Sequence, residues 1–147
     1  MVDNSKHAGN IVLIRGASLW IIMALILAWC MVGLNFDVAF LKSIFLGKQT
    51  RILQAHIDFL LMSALILGFY ASKIPLPATV RWAMVVGAFT NSSLFLLMGL
   101  FPELDNPSAP PGLVQDLFLY YLFASLLTTS YGFGKGSVVV LKSTFNR

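Results

Sequence analysis

GASLWIIMALILAWCMVGLNF, residues 16–36, runs for 21 positions without a charged side chain. A membrane-crossing helix needs about 20 mostly apolar residues, because at 1.5 Å per residue that length matches a hydrocarbon core ~30 Å thick. Three comparable stretches follow. Residues 82–102 give another 21 uncharged positions, residues 117–134 give 18, and residues 52–72 give 21 interrupted only by Asp58. The whole chain agrees, with 58% apolar and 11% charged side chains in 147 residues, where a soluble domain carries about 25% charged. A water-soluble domain of this size buries only about 70% of the surface its unfolded chain exposes. That is too little to hide so much apolar surface from water, whereas lipid removes the need. The sequence therefore predicts an all-α integral membrane protein forming a single membrane domain over residues 1–147, with spans over 11–34, 52–72, 81–101 and 113–134.

The connections are short, which predicts an antiparallel bundle of four transmembrane helices, each satisfying its own backbone hydrogen bonds as lipid requires. Loop one, about residues 35–51, mixes Phe36, Val38, Phe40, Leu41, Ile44 and Phe45 with charges and predicts a short amphipathic turn at the interface. Loop two, Lys73-Ile74-Pro75-Leu76-Pro77, is tight. Loop three, Pro102 to Gly112, holds four of the six prolines and lies outside the hydrocarbon. Gly132-Phe133-Gly134-Lys135-Gly136 reads as a helix end or break.

The net charge of +4 does not point to nucleic acid, since the basic residues gather on no single element. Their placement follows topology instead. Lys6, Arg15, Lys73, Arg81, Lys135, Lys142 and Arg147 fall on one side, and only Lys42, Lys48 and Arg51 on the other, together with Glu103, Asp105 and Asp116. The positive-inside rule then places both termini in the cytoplasm, as expected for a bacterial inner-membrane protein. Cys30 is the only cysteine, so no intrachain disulfide or thiolate cluster forms.

Polar residues within spans are costly and carry the functional argument. His56 and Asp58 lie near the start of span two, two residues apart and so pointing in different directions. Thr90-Asn91-Ser92-Ser93 sits at mid-depth in span three. Asp116 and the pair Tyr120-Tyr121 occupy the first turns of span four, in the same half of the bilayer as His56. Each has two readings. His56 is a metal or haem ligand, or a histidine bonded to a neighbouring helix. Asn91 with its neighbours is a catalytic group or an interhelical hydrogen-bonding set. Asp58 pairs with Arg51 or with a partner on another helix. Tyr120 and Tyr121 are reactive groups or belt and packing residues. The only other histidine, His7, precedes the first span. One chain thus cannot clamp haem between two intramembrane histidines. Iron on His56 would keep an open sixth position, or one filled by another group or subunit.

Gln54-Ala55-His56-Ile57-Asp58, leading into an apolar helix, resembles the small membrane styrene oxide isomerases and the related hydroxylaminobenzene mutases, which show Ala-His at the same place. The likeness continues through a short loop with a basic residue, the element Phe89-Thr90-Asn91 in span three, and a Pro/Gly-rich loop before span four. It covers most of the chain with few identities. It implies a four-helix protein that assembles as a trimer, with haem b at subunit interfaces, an axial histidine at His56, and ferric iron acting as a Lewis acid on an epoxide oxygen. The chain departs from the family at Met62, where the isomerases have Asn, and at Gly87 and Phe95, where they have Asp and Tyr. The ligand position and Asn91 are kept and three polar groups of the epoxide pocket are not. The resemblance thus implies open-site haem acting on or binding a small apolar molecule, and speaks against epoxide isomerisation itself. Two other readings stand beside it: a non-catalytic small subunit of a larger membrane complex, and a small transporter or channel. Of these the transporter has less support, because the spans hold one clear acid and show no repeat.

Overall fold

The protein is described here from a computed structural model covering residues 7–106, 108 and 112–145. Lys6 and Arg147 of the charge pattern, and Pro107, Pro110 and Pro111 of loop three, lie outside the described residues. The described chain is helical without strands: α1 (Ile11–Asn35), α2 (Ala39–Ile44), α3 (Gln49–Ala71), α4 (Ala78–Leu100), a 3-10 turn (Pro102–Asp105) and α5 (Leu113–Phe145). The four long helices are long and apolar enough to cross a membrane. The short α2 is the turn expected in loop one, with Phe40 exposed and Leu41 packed against the core.

Two helices begin earlier than their apolar patterns do. Lys48 and Pro77 hold extended backbone and α3 and α4 start directly after them, so each helix carries a polar or small first turn ahead of its apolar run. The larger correction concerns span four. Gly132 to Gly136 does not end the helix, which continues to Phe145 over 33 residues, or about 50 Å. The glycines serve packing instead. A Cβ on Gly132 would stand 2.6 Å from the Met84 backbone nitrogen, and one on Gly136 would meet the Met84 side chain and Phe69. Small residues four apart let two helices approach backbone to backbone, the usual driving contact where lipid is as apolar as leucine.

The section is not a square of four. α1, α3 and α4 pack on one another, and α5 lies along α4 with Phe133 reaching Phe69 of α3. Two buried clusters fill the three-helix core, one around Leu13, Ile66, Val80 and Met84 and one around Ala24, Leu27, Ile52 and Phe59. Trp20 joins them. Its ring stacks on Phe89 with centroids 4.8 Å apart and lies beside Phe59, and its indole N–H donates to the Val85 carbonyl at 3.1 Å.

The start of α1 and the far end of α5 lie at one end of this core. The fully buried Asn10 side chain donates to the Ile74 carbonyl at 2.7 Å and accepts from the Leu76 N–H at 3.1 Å, pinning the residue before α1 to the α3–α4 loop. His7 bonds the Tyr70 hydroxyl at 2.6 Å beside it. At the opposite end the Gly47 N–H donates to the Gly99 carbonyl at 2.9 Å, and both Arg51 and Lys48 pair with Asp105. These two cations hold the Asp105 carboxyl down at about 2 by hydrogen bonding to its charged form. Lys42 pairs with Asp37. Every basic residue at this end is therefore tied to an acid, whereas Arg15, Lys73, Arg81, Lys135 and Lys142 at the termini end form no ion pair among the described residues.

Candidate functional site

His56 sits on the face of α3 turned to α1, seven residues into the helix rather than the four its apolar pattern suggests, hence about 10 Å from the helix start. It is half-buried, and its Nδ1 lies 2.8 Å from the carbonyl oxygen of Ala24 on α1. A carbonyl only accepts, so in the neutral ring Nδ1 carries the hydrogen and Nε2 keeps the lone pair. Nε2 has no hydrogen-bond partner among the described residues. The bond to a neighbouring helix is thus one of the two readings of His56. One nitrogen is spent on a neighbouring helix, and this bond fixes the ring and the tautomer in the way a metal-binding histidine needs.

The seam beside His56 is open. Ala28, Met31, Val32 and Asn35 of α1 and Gln49, Thr50 and Leu53 of α3 line a groove of about 430 Å³. Gln49, Leu53 and His56 succeed one another at helical spacing along α3, as Ala24, Ala28, Met31 and Asn35 do along α1. His56 and Ala24 follow one turn beyond the residues that line this groove and do not themselves line it. The groove is apolar along Ala28, Met31 and Leu53, and polar at the helix ends, where Asn35, Gln49 and Thr50 line it. None of these three stands out in the sequence.

The second intramembrane cluster lies on the other side of α3. Asp58 Oδ2 accepts from Asn91 Nδ2 at 2.9 Å and from Ser92 Oγ at 2.8 Å, both on α4. Of the two partners open to Asp58, the one on another helix is thus the one it finds, and Arg51 bonds Gln54 and Asp105 instead. One residue further along α4, Ser93 bonds the hydroxyl of Tyr121 on α5 at 2.7 Å. Tyr120 stands apart from both clusters, 73% exposed on the outer face of α5. His56, Asp58 with Asn91, and Tyr120 are thus three separate places and form no single constellation. Ser63 is buried and bonded to the Phe59 carbonyl of its own helix.

The three positions at which the chain departs from the resembling family are packed. Met62 and Phe95 lie against the two core clusters. Gly87 has no room for any side chain, since a Cβ there would be 2.8 Å from both Thr129 Cα and Thr129 Oγ1. Thr129 Oγ1 also donates to the Gly87 carbonyl at 3.0 Å, which locks this crossing of α4 and α5.

The donor set bears on what metal the site suits. Among the described residues no three His, Cys, Asp or Glu side chains converge to hold a bare ion. A single imidazole with one unpartnered nitrogen would suit only a metal that arrives with ligands of its own, as haem iron does. The chain matches no family model, no curated protein and no solved structure.

Proposed function

We propose that this chain is a haem b-binding integral membrane protein similar to the styrene oxide isomerases, with His56 Nε2 as the axial ligand and a small apolar molecule bound or acted on at the open face. The observation that carries the reading is the bond from His56 Nδ1 to the Ala24 carbonyl, 2.8 Å long, which leaves the opposite nitrogen without a hydrogen-bond partner among the described residues. Haem held there by His56 would supply Lewis-acid chemistry. The chain's own contribution is the rest. α1 orients the ring through Ala24, the wall of Ala28, Met31 and Leu53 excludes water, and the surrounding lipid concentrates apolar ligands. The groove lies on the outer surface of the bundle, which suits a homo-oligomer, a trimer by the resemblance, whose next copy covers the exposed side. On this reading both termini face the cytoplasm of a bacterial inner membrane, because Arg15, Lys73, Arg81, Lys135 and Lys142 outnumber Lys42, Lys48 and Arg51 across the bundle.

The packing of Met62, Gly87 and Phe95 favours a second reading, a non-catalytic small subunit of a larger membrane complex. It removes the polar groups of the family's pocket without removing the ligand. Absorption spectroscopy of the protein purified in mild detergent separates the two. The haem reading expects a Soret band that is lost in both His56→Ala and His56→Gln. The glutamine can still donate to Ala24, so it controls for misfolding. A colourless wild-type protein that takes up no added haem sinks this reading, and colourless protein co-purifying with large partners supports the subunit. Feeding the haem-loaded protein small epoxides and aryl hydroxylamines tests the two reactions of the resembling families.

A further inference from the structure

A second open space lies between α4 and α5, at the end of the bundle opposite the start of α1. The last turn of α4, the 3-10 turn and the first turns of α5 leave a groove of about 450 Å³ there. Leu97 and Leu117 give it an aliphatic wall, and Phe101, Phe118 and Tyr121 give it an aromatic one. The Tyr121 hydroxyl is already bonded to Ser93 at 2.7 Å, so what this residue still offers a ligand is its ring. Among the described residues one charged side chain lines the groove, that of Glu103, and it forms no ion pair. The cations of this end are committed elsewhere, Lys42 to Asp37 and both Lys48 and Arg51 to Asp105.

This combination selects a class of ligand. An anion is repelled by the carboxylate. A hydrated inorganic cation gains nothing from three rings and two leucines, and a neutral hydrocarbon leaves the carboxylate without a counter-charge. Aromatic faces are negative, so they attract a cation whose charge is spread over methyl or methylene groups, and a carboxylate beside them adds to the attraction. An amine with apolar substituents uses all three parts of the wall at once. We propose that this groove binds a lipophilic organic cation, a quaternary or protonated amine bearing apolar groups, with Glu103 as its counter-ion and Phe101, Phe118 and Tyr121 as its aromatic wall. Such amphiphiles collect where hydrocarbon meets water, and Glu103 stands where the chain leaves the apolar run of α4. The site shares no residue with His56 and does not depend on the haem reading.

The test titrates the full chain, purified in the uncharged detergent dodecyl maltoside, with trimethyl(naphthylmethyl)ammonium and with its neutral isostere, in which carbon replaces the nitrogen. Equilibrium dialysis against protein-free micelles isolates the saturable part of the binding. The cation should bind saturably, and more tightly than the isostere. Glu103→Gln should weaken the cation by about fivefold and leave the isostere nearly unchanged. Phe118→Leu keeps an apolar side chain and removes a ring, and should weaken the cation by about threefold. Asp116→Asn removes an acid of the same end that does not line the groove, and should change neither. Absence of saturable cation binding overturns the proposal. So does a Glu103→Gln protein that binds the cation as the wild type does, or that loses both ligands equally. A loss in Asp116→Asn as large as in Glu103→Gln also overturns it, since a diffuse negative field and not a site then holds the cation.

Discussion

The seam between α1 and α3 and the seam between α4 and α5 are built from opposite materials. The first brings together Ala24, Ala28, Met31, Leu53 and His56, and it gapes into a groove at one end. The second brings together Gly87, Thr129, Gly132 and Gly136, and it leaves no space for even one added methyl group at Gly87. Both contain hydrogen bonds between helices. In the tight seam the donors and acceptors consume one another, as Thr129 does with the Gly87 carbonyl. In the open seam one ring nitrogen is consumed and the other is left over. Capacity that is left over, next to unfilled space, separates a candidate binding site from a structural contact. Asp58 falls on the structural side, because its two donors come from α4 and hold α3 to it.

The sharpest way to break this contrast is to force a side chain into the tight seam. Gly87→Asp should destabilise the fold by about 3–5 kcal/mol, since it combines overpacking with a carboxylate that has no partner. Unfolding in mixed detergent micelles would register this as a large leftward shift, and a wild-type curve would show that the seam can open. The same result bears on the resembling family, whose pocket places an aspartate at this position. Here α5 closes on Gly87 through Thr129, so an aspartate does not fit unless that crossing opens.

A smaller effect is expected at the clamp. Asp58→Ala strands the Asn91 amide and the Ser92 hydroxyl between α3 and α4. Interhelical hydrogen bonds in membranes average about 0.6 kcal/mol and reach about 1.7, so a loss of roughly 1–2 kcal/mol is expected. Asp58→Asn, which keeps an acceptor oxygen, should recover part of it. If Asp58→Ala leaves stability intact but removes activity or ligand binding, the acid belongs to a site and the contrast drawn above is wrong.

The smallest effect lies outside the membrane. Asp105 is held at about 2 by Arg51 and Lys48, below the ~3.9 of an unpaired aspartate. A depressed carboxyl stabilises the folded chain above its unfolded value, and that contribution fades as pH falls through the folded one. Stability should therefore drop between about pH 4 and pH 2 by more in the wild type than in Asp105→Asn, as read by thermal unfolding across that range. Identical pH profiles would mean that the ion pairs joining loops one and three contribute nothing.

The four spans were legible because lipid imposes a length and a composition that a single helix satisfies alone. Long uncharged runs fixed α1, α3 and α4 to within a few residues. The end of α5 was not legible, because glycine is ambiguous in sequence. It reads as a helix stop when only local backbone entropy is considered. It reads as a packing residue once a second helix arrives, and here Met84 and Ala83 supply that helix. His56 and Asp58 stand out in the sequence as polar residues in apolar surroundings. Their partners were hidden, since Ala24 contributes only its backbone carbonyl and Asn91 competes with several neighbouring candidates. Tyr120 and Tyr121 are adjacent in sequence and a helix turns them apart by about 100°. Tyr121 reaches Ser93 and Tyr120 faces outward.

The amino-acid sequence by itself determined the solvent, the number of crossings, and which polar groups had to find partners within them. These follow from transfer free energies of single residues, and no neighbour is needed to evaluate them. The tertiary structure alone decided which helix each polar group answers to, which ring nitrogen stays free, and where two helices part far enough to admit a ligand. Those depend on interatomic distances between segments far apart in the chain, and a difference of one methyl group at a crossing is enough to change the answer.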